Sequence, residues 1–408
     1  MRRAAQVVSG RHSGRDDGPV ILFLTTADTE VLAAAGAVAH LPPGFPRLRA
    51  ANPGAAPDAP AELERWLDEL LADVALVLVR LLGGRRAWPA GFDRVRDCCE
   101  AQGVALLAFG GEDAVDAELT AASTVPSSVV AHAMEYLRHG GVENIAQLLR
   151  FVADTVLFSG FGFGSPTPIP PCGRYRPELE DRLDPARPTA AVVFYRAHFV
   201  AGNTAFVDAL LDALDAAGVN PLAVYSYSLR PEADGRVPAL ELLADVDALV
   251  LTVLAMGGSS AADAESWEVP ALRSLDIPVV QALCATGSRA RWAASDAGLA
   301  PLDVAMQVAM PEFDGRVVTV PCSFKEEVPA TRQGQGRENP AGPRAGAAER
   351  TLGVVSPPVA ERLVRYVPDV ERASRVAGIV ARLALLRHTP NHDKRIAILL
   401  SNYPTRHS

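Results

Sequence analysis

Short, uninterrupted apolar runs that stop at threonine or glycine constrain this chain more than any other feature. VILFLTTADTE (20–30), DVALVLVRLLGG (73–84) and GVALLAFGGE (103–112) each contain one. A run with no polar alternation fits a strand buried on both faces, which is the habit of parallel sheets. Between the first two lies AELERWLDELLA (61–72), where Leu63, Trp66, Leu67, Leu70 and Leu71 recur at helical spacing. Residues 91–102 read as a further short helix that carries the adjacent Cys98 and Cys99. Strand and helix in alternation predict an open parallel sheet with helices on both faces.

The character changes at 126–160, where Ile145, Leu148, Leu149, Val152 and Val156 repeat at helical intervals and Gly160 is placed to stop the helix. SPTPIPPCGRYRPE (165–178) is too rich in proline to extend a helix or to enter a central strand. Strand and helix signals then resume. TAAVVFYRAHF (189–199) reads as a strand. In NTAFVDALLDALDAAG (203–218), Asn203 is a suitable N-cap for a stripe of Phe206, Val207, Leu210, Leu211 and Leu214. Strands are also expected in NPLAVYSYSL, toward the end of 241–255, at 275–284 and at 394–408, and a helix at 367–388 opened by a proline in its first turn.

The reading is therefore α/β: two Rossmann-like or flavodoxin-like parallel-sheet domains joined by a helical, Pro-rich segment, plus the start of a third α/β unit. Its boundaries are a disordered tail at 1–18, a first domain at 19–125, a connector at 126–180 and a second domain at 181–327. A flexible loop at 328–352 and a segment at 353–408 that opens a truncated further domain complete it.

Several function classes drop out on composition. Charged residues make up 21% of the chain and hydrophobic ones 49%, which is a globular balance. A net charge of -9 lacks the basic face of a nucleic-acid binder. No apolar run reaches the roughly 18 to 20 residues of a membrane helix, and the N-terminal stretch has no secretory apolar core, so a cytoplasmic protein is expected. Five scattered cysteines without a CxxC pair are neither a disulfide framework nor a zinc ribbon. The sequence contains no GxxxxGK[ST], and no GxGxxG follows a strand, so neither a P-loop nor a nicotinamide site is supported.

Taken together and in order, several segments resemble the large subunit of CobN-type cobaltochelatases and, more distantly, the large porphyrin-binding (H-type) chain of magnesium chelatase. They are ADTEVLAAAGA, VRLLGGRRAW (79–88), TVPSSVVAHAMEYLRHGGVENIAQLLRFVADTVLFSGFGF (124–163), FYRAHFVAGNTAFVDALLDAL (194–214) and LDIPVVQALC (275–284). SDAGLAPLDVAMQVAMPEFDGRVVTVPCSFKE (295–326), YVPDVERASRVAGIVARLALLRH (366–388) and ILLSNYPTRHS (398–408) complete the set. The resemblance covers nearly the whole chain apart from the tail and the 328–352 loop. It implies a subunit that binds hydrogenobyrinic acid a,c-diamide and Co2+ in cobalamin biosynthesis. It also implies that the AAA+ subunits CobS and CobT use ATP and Mg2+ to drive insertion. The chain departs from the family in its long 328–352 loop and its early end; the family's metal-handling His and Glu segment is expected beyond it, so catalytic residues are unassigned and this piece alone is expected to be inactive. Alternatives are a magnesium chelatase H-type porphyrin-binding subunit, a truncated non-catalytic tetrapyrrole-binding or assembly module, and a generic two-lobed small-molecule binder.

Candidate site residues are weighed against plain structural roles. YRAHFVAGN (195–203) follows a strand, at the edge where open α/β sheets bind ligands. Tyr195, Arg196, His198 and Asn203 are candidates for corrin side groups, Arg196 through its bidentate fork, and His198 also as a metal ligand. The structural alternative is a capping Asn203 and a locally packed His198. Metallation removes ring protons, so Glu312 and Glu326 are candidate general bases beside Asp314 and Lys325; a turn at Asp314-Gly315 within a solvated charge cluster is the plainer reading. Thr25, Thr26 and Asp28 read as a helix cap or an anion site. His388 suits a helix C-terminus, His392 a turn, and His407 is a second candidate metal ligand.

Overall fold

The computed structural model describes residues 18–57, 59–111, 116–232, 234–243, 245–253, 270–329 and 362–399. The first layer contains β1 (Val20–Thr25), α1 (Asp28–Ala37), β2 (Arg47–Ala51), α2 (Pro60–Leu71), β3 (Val74–Leu81), α3 (Pro89–Gln102), β4 (Ala105–Gly110) and α4 (Ala117–Ala122). Its sheet has the order β2-β1-β3-β4 and all its pairs are parallel. Every residue of β1 is buried, which is why that segment shows no polar alternation. The short β2, RLRAA, carries no apolar run and escapes sequence reading.

Two long helices follow, α5 (Ser127–His139) and α6 (Val142–Val156). The apolar stripe of α6 packs with α1, α5 and β1 in one core. Burying a Leu or Val side chain contributes roughly 1.5–3 kcal/mol, so α6 is held by packing. Beyond it the Pro-rich stretch runs back along α6: Asn144 donates to the Thr167 carbonyl at 3.0 Å, and the Tyr136 hydroxyl to that of Gly164 at 2.6 Å.

The second layer contains β5 (Cys172–Tyr175), β6 (Thr189–Tyr195), α7 (Arg196–Val200), α8 (Ala205–Ala216), β7 (Asn220–Ser226), α9 (Pro238–Glu241) and β8 (Ala248–Leu251). It continues with α10 (Pro270–Arg273), β9 (Val279–Ala285), α11 (Arg289–Ala293), α12 (Pro301–Asp303), a π-helical turn (Val304–Ala309) and α13 (Met310–Phe313). It ends with β10 (Val317–Pro329), β11 (Arg362–Pro368) and α14 (Val370–His388). The sheet order is β11-β10-β9-β8-β6-β7-β5; its interior strands are parallel and both edge strands, β5 and β11, are antiparallel to their neighbours. The fold is α/β.

Several expectations shift. β11 and α14 lie in the stretch expected to open a further unit, and they belong to the seven-stranded layer, where α14 packs beside α8 on one face. Asp369 caps α14 by accepting from the Arg372 N–H at 3.2 Å, so Pro368 ends the strand and does not start the helix. Residues 394–399, expected in a strand, have no sheet partner among the described residues, and Ile396, Ile398 and Leu399 are exposed. Residues 400–408, including His407, lie outside the described residues, as does most of the 328–352 loop.

The β10–β11 pair reaches from the second layer to the first. β10 and β9 stay paired as far as Phe324 opposite Ala285, after which β10 and β11 continue as a two-stranded arm. Val328 and Leu363 on this arm pack into the apolar core of the first layer.

Candidate functional site

The carboxyl-terminal strand ends of the two layers are apposed where this arm crosses α1, but their polar groups are used differently. In the first layer the Thr25 hydroxyl donates to Glu30 at 2.6 Å and accepts from the Ala27 N–H at 3.1 Å. Glu30 is ion-paired with the buried Arg80, which also donates to the carbonyls of Leu137 and Gly111, both at 3.3 Å. The Thr26 hydroxyl accepts from the Leu82 N–H at 2.8 Å. None of these side chains caps α1, whose N-cap is Ala27. The expected threonine cap is replaced by ties between strand ends. Asp28, in the first turn, is committed to Asn52 at 2.5 Å and to Lys325 of the other layer at 2.9 Å.

In the second layer α7 follows β6 without a break, and this places Tyr195, Arg196 and His198 at the predicted edge. Arg196 is buried, and it donates to the carbonyls of His139 (2.6 Å), Ile169 (3.0 Å) and Pro170 (3.0 Å). It therefore clamps the connector onto the sheet. Asn203 is buried too. Its side chain does not cap α8, whose N-cap is Thr204; its Oδ1 accepts from the Tyr366 N–H at 3.1 Å and so ties α7 to β11. Tyr195 is half-buried at the end of β6 and packs against the other face of the sheet.

His198 lies between Phe206 and Tyr366, with ring centroids 5.2 Å away in each case and edge-to-face. Burial, then the nearby Lys325 charge, lowers its pKa to about 4, so the imidazole is neutral at pH 7. The Asn203 amide is 3.4 Å from its Nδ1. Burial also raises the Tyr366 phenol far above its ordinary range, and Lys325 Nζ sits 5.7 Å from the centre of that ring. Glu326 accepts the Arg289 N–H at 2.6 Å, and the Arg289 side chain reaches Asp369 at 2.6 Å. Behind them the Asp303 carboxylate, itself buried, accepts from the Thr286 N–H at 3.0 Å and from Gln307 at 2.9 Å.

The other candidates lie elsewhere. Glu312 is exposed on α13, before β10 begins, and Glu326 is nine residues along that strand; at about 3.3 Å per residue that stretch of β10 alone spans on the order of 30 Å. They do not share a site. Asp314 is not in a solvated cluster: both its side chain and that of Arg316 are fully buried, in a 2.5 Å ion pair. His388 closes α14 as expected and pairs with Asp247 at 2.7 Å; His392 is exposed beside Asp393. Among the described residues no three His, Cys, Asp or Glu side chains are grouped to hold a metal ion, and no described helix is long and apolar enough to cross a membrane. All five cysteines are free, and burial pushes the Cys99 thiol up to about 12.

Sequence reasoning missed Tyr366 and the pairing of Lys325 with Asp28. The strands that carry Lys325 and Tyr366 are separated by residues 330–361, so no short hairpin turn signals their pairing.

Comparison with known proteins fits this architecture. Residues 134–408 match the family described as CobN/Magnesium Chelatase. The aerobic cobaltochelatase protein CobN of Pseudomonas aeruginosa is 33% identical over 404 residues, spanning 95% of this chain and 29% of that protein. The H-type magnesium-chelatase protein of Rhodobacter capsulatus is 30% identical over 289 residues, or 66% of this chain and 22% of that one. The solved catalytic subunit of cobaltochelatase from Mycobacterium tuberculosis superimposes with a TM-score of 0.63 at 41% identity, covering 92% of this chain and 28% of that structure. The chain thus spans less than a third of the length of these relatives. On these matches, the chain belongs to the CobN/magnesium chelatase family and corresponds to the N-terminal portion of a CobN-type large subunit.

Proposed function

We propose that this chain forms part of the tetrapyrrole-contacting surface of a cobaltochelatase, and that it holds hydrogenobyrinic acid a,c-diamide in the cytoplasm while Co2+ is inserted. In this reading the AAA+ subunits CobS and CobT supply the drive from ATP with Mg2+. The observation that carries it is the group of His198, Tyr366 and Lys325 at the carboxyl ends of β6 and β10, where both layers present their strand ends. This is the edge at which open α/β sheets bind ligands.

The roles divide by geometry. His198 faces the ligand and, as a neutral imidazole, is available as a hydrogen-bond partner or as a transient ligand to the metal, while Tyr195 packs on the opposite face of the sheet. Arg196 and Asn203 hold that edge in place. Glu326, at the same edge, is favoured over Glu312 as an acceptor of ring protons. The four-stranded and the seven-stranded layer act as the walls of one cleft.

Titration of the chain with hydrogenobyrinic acid a,c-diamide, followed by corrin absorbance, tests this. Saturable binding that His198→Ala weakens is expected, and no binding at any accessible concentration overturns it. A second reading, a magnesium chelatase H-type porphyrin binder, is favoured by the 30% identity to the Rhodobacter protein. Protoporphyrin in the same titration separates the two, since each reading expects its own macrocycle to bind tighter.

A further inference from the structure

We propose that Lys325 receives an anionic side group of the bound ligand, and that Asp28 occupies this position until the ligand arrives. The inference rests on the proposed tetrapyrrole-binding role of the cleft and deepens it by naming one contact and the residue that competes for it.

Position is the first support. Lys325 is the first residue of β10 beyond the last rung shared with β9, at the point where the two-stranded arm leaves one layer for the other. Its ammonium is 2.9 Å from an Asp28 oxygen of the facing layer, and both side chains are partly open to solvent, 30% for the lysine and 23% for the aspartate. A dissolved carboxylate can reach this pair. Were it sealed in the core, exchange would strand a buried charge.

The second support is that neither partner is orphaned by the exchange. Asp28 keeps the Asn52 amide on its other oxygen at 2.5 Å. Lys325 stays beside the Tyr366 ring, 5.7 Å from its centre, and a ring face attracts an ammonium. Partly exposed ion pairs contribute little net stability, so replacing one carboxylate by another costs little, and the compact ammonium offers three donors that can serve both during the exchange. No bond is made or broken and no proton moves.

The third support is the surroundings. The aromatic rings of Tyr366 and His198 meet edge-to-face beside the ammonium, and the imidazole is neutral at pH 7. The lysine is thus the cationic member of this trio, partly open to solvent beside two packed rings, and its ammonium suits an acid group of the ligand.

Corrin absorbance titrations of the 408-residue chain and four variants test the proposal, using hydrogenobyrinic acid a,c-diamide as probe. Asp28→Asn, which removes the competitor, should tighten binding by about threefold to tenfold, and Lys325→Met should weaken it by about tenfold or more. The double variant should bind no better than Lys325→Met alone, and Lys325→Arg should stay near the unaltered chain. If Asp28→Asn weakens binding as much as Lys325→Met does, the pair is only a strut between layers and the proposal fails. Unchanged binding in Lys325→Met also removes it, but leaves the cleft's wider role standing. Absence of binding by the unaltered chain removes both. If Lys325→Met does not fold, as judged by its melting transition, Asp28→Asn against Lys325→Arg decides the question by the same signs.

Discussion

The carboxyl-terminal edges of the two layers look alike in sequence and differ in chemistry. Each follows an apolar strand with hydroxyl, acidic or basic residues, and each is a candidate ligand edge on that ground. In the four-stranded layer Thr25, Glu30 and Arg80 bond to one another and to neighbouring carbonyls, and Thr26 accepts from the Leu82 N–H, although the buried Arg80 Nε has no partner among the described residues. In the seven-stranded layer Arg196 and Asn203 are similarly engaged, but His198 meets mainly ring edges and Lys325 holds a partner that belongs to the other layer. Strand-end position nominates a ligand site. What remains after the chain's own donors and acceptors are paired decides whether the edge can serve one.

The largest expected effect breaks the internally paired edge. Arg80→Met leaves the Glu30 carboxylate without its cation at the head of α1 and should cost about 3–5 kcal/mol in urea unfolding, with the first layer losing structure. A cost below about 1 kcal/mol would show that the two edges are not so different.

Next comes the clamp. Arg196→Ala removes donors from three carbonyls, at about 1 kcal/mol or more each, so a loss of roughly 3 kcal/mol is expected by the same measurement. Corrin affinity should survive under conditions where the variant remains folded. A variant of full stability that no longer bound corrin would turn Arg196 from a brace into a ligand contact.

The pH dependence sharpens the other side. His198 has a folded pKa of about 4, below its ordinary value near 6.5. The unfolded chain therefore binds the proton first as pH falls. The contribution of neutral His198 is fully present above about pH 6.5 and is lost as pH drops toward 4, by up to roughly 3 kcal/mol. His198→Gln should flatten that part of a stability-versus-pH curve, and an unchanged slope would show that the ring is well solvated.

The smallest effect is expected at the junction. Asp28→Asn breaks a partly exposed pair and should change unfolding free energy by no more than about 1 kcal/mol. A larger loss would mean that the layers are locked together and that Lys325 is not free to exchange.

Much of the fold is legible in the sequence because burial leaves a clear mark. β1, β3 and β4 are apolar runs, and α8 shows its stripe of Phe206, Val207, Leu210, Leu211 and Leu214. The elements that escaped have physical reasons. β2 and β5 are short edge strands with few apolar residues, and β11 pairs with β10 across a gap of more than thirty residues. For the site, the segment 195–203 is legible from its place after a strand. The division within it is not, since the partners of Arg196 and Asn203 come from residues 139, 169, 170 and 366. Tyr366 is a tyrosine like any other until β11 brings it against His198.

Hydrogen–deuterium exchange of the chain with and without hydrogenobyrinic acid a,c-diamide tests the contrast between the two edges most directly. Protection concentrated at 196–203, 286–292 and 323–328 is the predicted result. Protection confined to 25–30 and 80–84, or no change at either edge, would contradict it.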